Sequence, residues 1–139
     1  MKVHLLFIGK PRDPRANLIS QDYVERTTRY ARVEMREIRP SRTDLWKTYP
    51  HARKILLDPE GRQMSSREFA GMVSQAEMDG RELLFVVGGA DGLPGEWRAR
   101  ADLLLSLSRL TLPHEMARVV LAEQIYRAFT TLRGHPYPR

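Results

Sequence analysis

The sequence predicts an α/β layered domain built on a largely parallel sheet. Two observations carry that reading. Short apolar runs that suit buried strands alternate with stretches of helical periodicity. The clearest run, LLFVV at Leu83–Val87, contains no polar residue, as in a strand covered on both faces. A length of 139 residues suits one domain, residues 1–139, with room for a real core.

Taken in order, Val3–Ile8 (VHLLFI) reads as a buried strand ended by Gly9 and Pro11. Asn17 is placed to cap a helix running to about Tyr30, and Val33–Ile38 reads as a second strand. Arg39–Arg53, with its prolines and scattered charges, reads as a loop or a degenerate helix. Lys54–Asp58 (KILLD) is a short strand followed by a turn, Asp58-Pro59-Glu60-Gly61. Ser65 and Glu68 have the spacing of a capping box, in which each side chain satisfies a free helix N–H of the other. Phe69, Met72, Val73 and Ala76 then form one apolar helical stripe, closed by Gly80. After Leu83–Val87 come a short helix around Glu96–Ala101 and a fifth strand, Leu103–Leu107. The last helix begins after Pro113 and runs to about Arg133.

Charge is unevenly distributed. Residues 1–54 hold 13 Lys/Arg against 6 Asp/Glu (+7), residues 55–112 hold 6 against 9 (−3), and residues 113–139 hold 4 against 2 (+2). Basic ends flank an acidic middle, and the basic residues are mostly arginine, whose planar fork suits phosphate. A polyanionic partner, nucleic acid above all, follows from this balance; an Arg-rich proteome would give the same composition. No run approaches the roughly 18 apolar residues of a membrane span. MKVHLLFIGK is too short and lacks the small-residue cleavage site of a signal peptide. With no cysteine there is no disulfide framework, thiolate nucleophile or Cys-based zinc site. These features read together as a cytoplasmic protein that does not engage a membrane.

Three stretches have chemical potential. VVGGADGLPG (Val86–Gly95) follows the strongest strand, where ligands bind in parallel sheets, and its glycines allow close backbone approach. It lacks both the dinucleotide and P-loop fingerprints, and by itself it serves equally well as a structural turn. LSLSRLTLPHE (Leu105–Glu115) places small hydroxylic residues and free backbone groups beside apolar side chains, a combination suited to a neutral heteroaromatic ring. In the final helix, Leu121, Ala122, Ile125, Tyr126, Ala128, Phe129 and Leu132 cover one half, and Glu123, Gln124, Arg127, Thr130 and Thr131 the other. Glu123 and Arg127 stand four apart, which also describes a solvated surface pair. His4, His51, His114 and His135 show no metal-ligand spacing, so no metal site is expected. No nucleophile elbow is present.

VVGGADGL, LSLSRLTLPHEMARVVLAEQIYRAF and LRGHPY, in this order and spacing, resemble the RlmH family of SPOUT-class methyltransferases, which modify N3 of a pseudouridine in large-subunit ribosomal RNA. The match is dense from Leu83 onward and collinear at KVHLLFIGK and ILLDPEGRQMSSREFA. The resemblance implies a trefoil-knotted parallel sheet working as a homodimer, with S-adenosyl-L-methionine bound in the knot. It carries cofactor binding to Leu57, Gly88, Leu107, Ser108, Arg109, Leu110, Thr111 and Leu112. It implies large-subunit rRNA, on assembled ribosomes, as the partner. Arg127 and Arg139 are candidates for stabilising charge or holding phosphates, Glu123 and His135 for accepting a proton, and Tyr137 for stacking on a base.

Two departures stand out. Arg39–Arg53 is shorter than the segment family members usually carry there. The tail reads Pro136-Tyr137-Pro138-Arg139 where the family has P-Y-H and a basic residue. RGHPYPR cannot continue the helix, so the tail reads as a substrate clamp, held off the core by its prolines and ordered on binding cofactor or RNA. A SPOUT enzyme acting on another RNA such as tRNA, and a catalytically silent RNA-binding assembly factor, remain open as alternatives.

Overall fold

The computed structural model describes residues 1–138. Five segments form strands: β1 (Lys2–Ile8), β2 (Arg32–Ile38), β3 (Arg53–Gln63), β4 (Leu83–Val87) and β5 (Leu103–Ser106). All pair in parallel, in the spatial order β2-β1-β4-β3-β5. The helices are α1 (Pro14–Thr27), α2 (Leu45–Thr48), α3 (Ser66–Met78), α4 (Gly95–Arg100) and α5 (His114–Leu132).

The period-2 alternation of strand side chains divides the core in two. Val3, Leu5 and Phe7 of β1, Ile55 of β3, and Leu83, Phe85 and Val87 of β4 face one way. They pack against Phe69, Met72 and Val73 of α3 and against Leu121, Ile125 and Phe129 of α5. Leu6, Leu56, Leu84 and Val86 face the other way, beneath Leu45 of α2 and Trp97 of α4. The one histidine inside this core is matched. His4 is buried, and its two ring nitrogens each lie 2.7 Å from a carboxylate, Glu34 on one side and Glu82 on the other.

Several boundaries differ from the sequence reading, each for a local reason. Asp13, not Asn17, caps the first helix: its carboxylate accepts from the Arg15 and Ala16 amides, and Pro14 occupies the first turn. Asn17 sits inside α1, where its side-chain oxygen accepts from Arg118, and the helix stops at Thr27 rather than near Tyr30. Within Arg39–Arg53 the chain makes a 3-10 turn, Pro40–Arg42, and the single turn of α2, capped by Asp44. The capping box at Ser65 and Glu68 is present in both directions.

The largest difference lies in β3. Asp58-Pro59-Glu60-Gly61 does not turn the chain back; the strand runs on to Gln63. Leu57 and then Arg62 both pair with Leu105, so residues 58–61 bulge out of the ladder. Asp58 holds the bulge by accepting from the Glu60 amide at 2.8 Å. Gly61 lets it close onto β5: an added Cβ would lie 2.6 Å from the Leu104 carbonyl group and 2.7 Å from the Leu105 nitrogen.

The N-terminus of α5 is tied to the other end of the chain. Glu115 accepts from the backbone N–H of Arg12 at 2.6 Å and of Asp13 at 3.1 Å. Behind it, the buried Arg118 lies over the Phe7 ring at 3.8 Å, and Glu115 stands 3.5 Å from the Arg118 guanidinium. The Arg12 amide, joined by the Asp13 amide and Arg118, outweighs burial and holds the Glu115 carboxyl below the usual range.

Gly61→Ala is expected to lower stability by about 1–3 kcal/mol, since backbone must move to admit the methyl. Gly71→Ala, in open space within α3, is expected to raise it by about 0.5–1 kcal/mol; urea denaturation of both variants checks the opposite signs. Because the folded pKa of Glu115 is depressed, its contribution is present above the ordinary glutamate value of about 4.3 and is lost as pH falls through the folded value. Glu115→Gln should therefore lose on the order of 1 kcal/mol at neutral pH, with the gap to the unsubstituted protein closing in acid.

Candidate active site

A cavity of about 600 Å³ opens at the carboxyl ends of β3, β4 and β5. Its walls come from Leu57 and the β3 bulge, from the loop after Val87, from the loop after Ser106, and from His114 and Ala117 of α5. The size is that of a ligand pocket, and the mixture of leucines with backbone polar groups suits an apolar ring with a hydrogen-bonding edge.

Two loops shape it. After β4, the Gly92 amide donates to the Gly89 carbonyl at 3.0 Å and folds the loop back on itself. A Cβ at Gly88 would lie 3.0 Å from the Gly92 carbonyl carbon, so a side chain there would crowd the turn that lines the cavity. After β5, the Ser108 hydroxyl accepts from the Leu110 amide at 2.9 Å, and the buried Ser106 hydroxyl donates to the Ser108 carbonyl at 3.0 Å. The hydroxyl groups noted in the sequence thus hold the loop in shape.

Of the residues assigned to cofactor binding, Leu57, Gly88, Leu107, Ser108, Leu110, Thr111 and Leu112 line this cavity. Arg109 does not; it is exposed between two residues that do. Asp91 and His114, inside the two loop stretches singled out in the sequence, also line it, as do Asp58 and Arg98, which the sequence reading did not single out. Asp58 was hidden in a stretch read as a turn, and its partner Arg98 stands 40 residues away.

Glu123, Arg127, His135 and Tyr137 gather elsewhere, around the end of α5, and none of them lines the cavity. Arg127 grips Glu123 with Nη2 at 2.7 Å and Nε at 3.2 Å. Gln124 donates to the same carboxylate at 2.9 Å, and the Tyr137 hydroxyl donates to it at 2.6 Å. The Tyr137 ring meets Tyr126 edge-on at 4.7 Å, and the Tyr23 hydroxyl lies 3.4 Å from its own. Burial first, then the contacts with Glu123 and Tyr23, push the Tyr137 phenol well above the ordinary tyrosine range. The Glu123 hydrogen bond outweighs burial and raises Arg127, keeping it charged.

Two expectations are corrected by this arrangement. The tail is not held off the core: His135 closes α5 by donating its amide to the Thr130 carbonyl at 2.9 Å, and Tyr137 docks on the same helix. Thr130, assigned to the polar half of the helix, is fully buried, its hydroxyl satisfied by the Arg127 carbonyl at 2.8 Å. Arg139 lies outside the described residues.

Comparison with known proteins gives this geometry a context. The family described as "Predicted SPOUT methyltransferase" matches residues 1–138. A ribosomal RNA large subunit methyltransferase H from Solibacter usitatus is 63% identical over 139 residues, covering 100% of both chains. The protein of the same name from Paraburkholderia xenovorans is 38% identical over 155 residues, covering 100% of this chain and 99% of that one. Among solved structures, a probable methylase family protein from Haemophilus influenzae superposes with a TM-score of 0.65 at 12% identity, covering 99% of this chain and 70% of that one.

The docking of Tyr137 is open to spectroscopy. In an alkaline titration followed by tyrosinate absorbance, Tyr137→Phe should remove the highest-pH part of the signal from the five tyrosines, and Glu123→Gln should shift that part to lower pH. A high-pH end unchanged by both substitutions would mean that the tail is undocked in solution.

Proposed function

We propose, from the premise that this chain belongs to the SPOUT methyltransferase family, that it transfers the methyl group of S-adenosyl-L-methionine to N3 of a pseudouridine in large-subunit ribosomal RNA, on assembled ribosomes in the cytoplasm. The observation that carries this reading is the cavity at the strand ends, where seven of the residues assigned to the cofactor converge on one space. When bound there, the cofactor supplies an already activated methyl group. The chain's own task is then alignment, which can supply roughly 7–11 kcal/mol of rate enhancement. Leu57, Leu107 and Leu112 offer apolar walls, and the loop at Gly88 offers an approach free of side chains.

In this reading residues 1–139 form a single domain with a trefoil knot, and two copies make the working enzyme. The second copy answers a geometric difficulty, because the Glu123–Arg127–Tyr137 cluster and the cavity are separate on one chain. A partner's tail brought to the cavity joins them. Exposed apolar side chains on α1 (Leu18 and Ile19) and beside the cavity (Leu110 and Met116) support such an association.

The division of labour follows from the contacts. The Glu123 carboxylate is occupied by Arg127, Gln124 and Tyr137, so it holds the phenol and the guanidinium in place rather than standing free as a base. Arg127, always charged, stabilises negative charge that develops on the base as N3 loses its proton. His135 Nδ1, which accepts from the Tyr137 amide at 3.2 Å, is the ring's proton-accepting nitrogen, and it becomes available to the N3 proton once the tail moves off that contact. Tyr137 offers a ring face for stacking once it leaves Tyr126. The basic N-terminal half is the landing surface for RNA.

Label transfer from methyl-tritiated S-adenosyl-L-methionine tests this. Ribosomes from a strain lacking the activity should accept label in large-subunit rRNA at a pseudouridine, and transfer should fall steeply with added salt. Deleting residues 134–139 should abolish transfer while leaving cofactor affinity nearly intact. Label in tRNA alone would assign the chain to another SPOUT substrate. Cofactor binding without transfer to any RNA would favour a silent assembly factor, the reading that Pro138 in place of a tail histidine supports.

A further inference from the structure

The ionic groups lining the cavity are unequal in number: Asp58, Glu60 and Asp91 are acidic, and Arg98 is the one lysine or arginine among the described lining residues. Arg98 is held at its backbone and at its Nε. Its neighbour Trp97 is buried in the core beneath the sheet's second face, which pins the backbone of a helix only six residues long. The buried Asp58 carboxylate then takes the Arg98 Nε, while its other oxygen accepts from the Glu60 amide.

A guanidinium has two edges that can grip a carboxylate, one through Nε and one through the paired terminal nitrogens. Asp58 engages the first. Arg98 Nη1 and Nη2 have no hydrogen-bond partner among the described residues, and the side chain is 41% exposed. The cavity therefore presents a fixed, unsatisfied, two-pronged donor amid acidic groups. An anion would be repelled by Asp91 and Glu60 everywhere except at that fork, whereas cationic centres are welcome along the rest of the wall. The pattern suits a ligand with one carboxylate and adjacent positive charges.

We propose that the Arg98 terminal nitrogens bind the carboxylate of the amino-acid end of the methyl donor, with Asp58 as the positioning residue that aims the fork. The inference rests on the cofactor reading given above and deepens it: Arg98 sets which end of the donor lies toward α4, and it makes the site selective for a ligand that keeps its carboxylate. The acidic groups accept the ammonium and sulfonium charges, so the zwitterionic end is read at both poles.

Calorimetric titration of the full chain with S-adenosyl-L-methionine and with its decarboxylated analogue tests this without requiring turnover. The unsubstituted protein should prefer the carboxylated ligand. Arg98→Ala should weaken that ligand by about tenfold or more and leave the analogue unchanged, erasing the preference; Arg98→Lys, with a charge but no fork, should restore only part of it. Asp58→Asn should reduce the preference without abolishing binding of the analogue. Equal weakening of both ligands by Arg98→Ala would assign Arg98 a purely structural role and overturn the proposal. So would a preference that survives the substitution. Failure of the unsubstituted protein to bind either ligand would instead overturn the cofactor reading itself, and this inference with it.

Discussion

Burial of β4 on both faces is the constraint on which the rest of the structure depends. Its five residues are all apolar and almost fully buried, and at roughly 25 cal/mol per Å² of apolar surface no other arrangement of this segment competes. A strand covered on both sides needs a helix layer above and below and a neighbour along each edge. The chain meets that demand with β1 and β3 at the edges, α3 and α5 on one face, and α2 and α4 on the other. The site is a by-product of the same requirement. A strand buried throughout must release its chain at the carboxyl end, where the following loop passes over β3 to reach β5.

Parallel strands deliver their loops to one end of the sheet, and here those loops combine exposed glycine and serine backbone with leucine side chains. Gly88, Gly92 and the Ser106–Ser108 hydrogen bonds fix a wall of peptide groups. Such a wall binds by shape and hydrogen-bond direction, with little reorganisation when a ligand arrives. The charged groups come from the β3 bulge, from α4 and, at Asp91, from the loop after β4.

Much of this was legible in the residues, in proportion to how local the cause is. Four of the strands and the capping box at Ser65 and Glu68 follow from periodicity and from hydrogen bonds between near neighbours, and they appear within a residue of where the pattern puts them, while β3 overruns its expected end. The first helix start was misplaced because the reading passed over Asp13-Pro14, an N-cap followed by a proline in the first turn, for Asn17, whose side chain instead meets Arg118 of α5. Asp58-Pro59-Glu60-Gly61 has turn composition; that it bulges instead depends on β5, more than 40 residues further along the chain, accepting the displaced backbone. Thr130 looked solvated because helical geometry gives its direction, not what covers it. Cofactor positions came from the resemblance, whereas the Asp58–Arg98 pair, a long-range contact between elements that no motif covers, came only from the fold.

The clasp between Glu115 and the amides of Arg12 and Asp13 joins residues about a hundred positions apart, and α5 supplies both a wall of the cavity and much of one core face. Until α5 is made, the first four strands lack part of the cover on the face they share with α3, and the cavity lacks the wall that α5 gives it. The site is assembled only when the last helix folds back over the earliest part of the chain, a closure of high sequence separation and correspondingly slow formation. Completion of the cavity thus waits for α5, and a chain that stops before His114 lacks both much of one core face and a wall of the cavity.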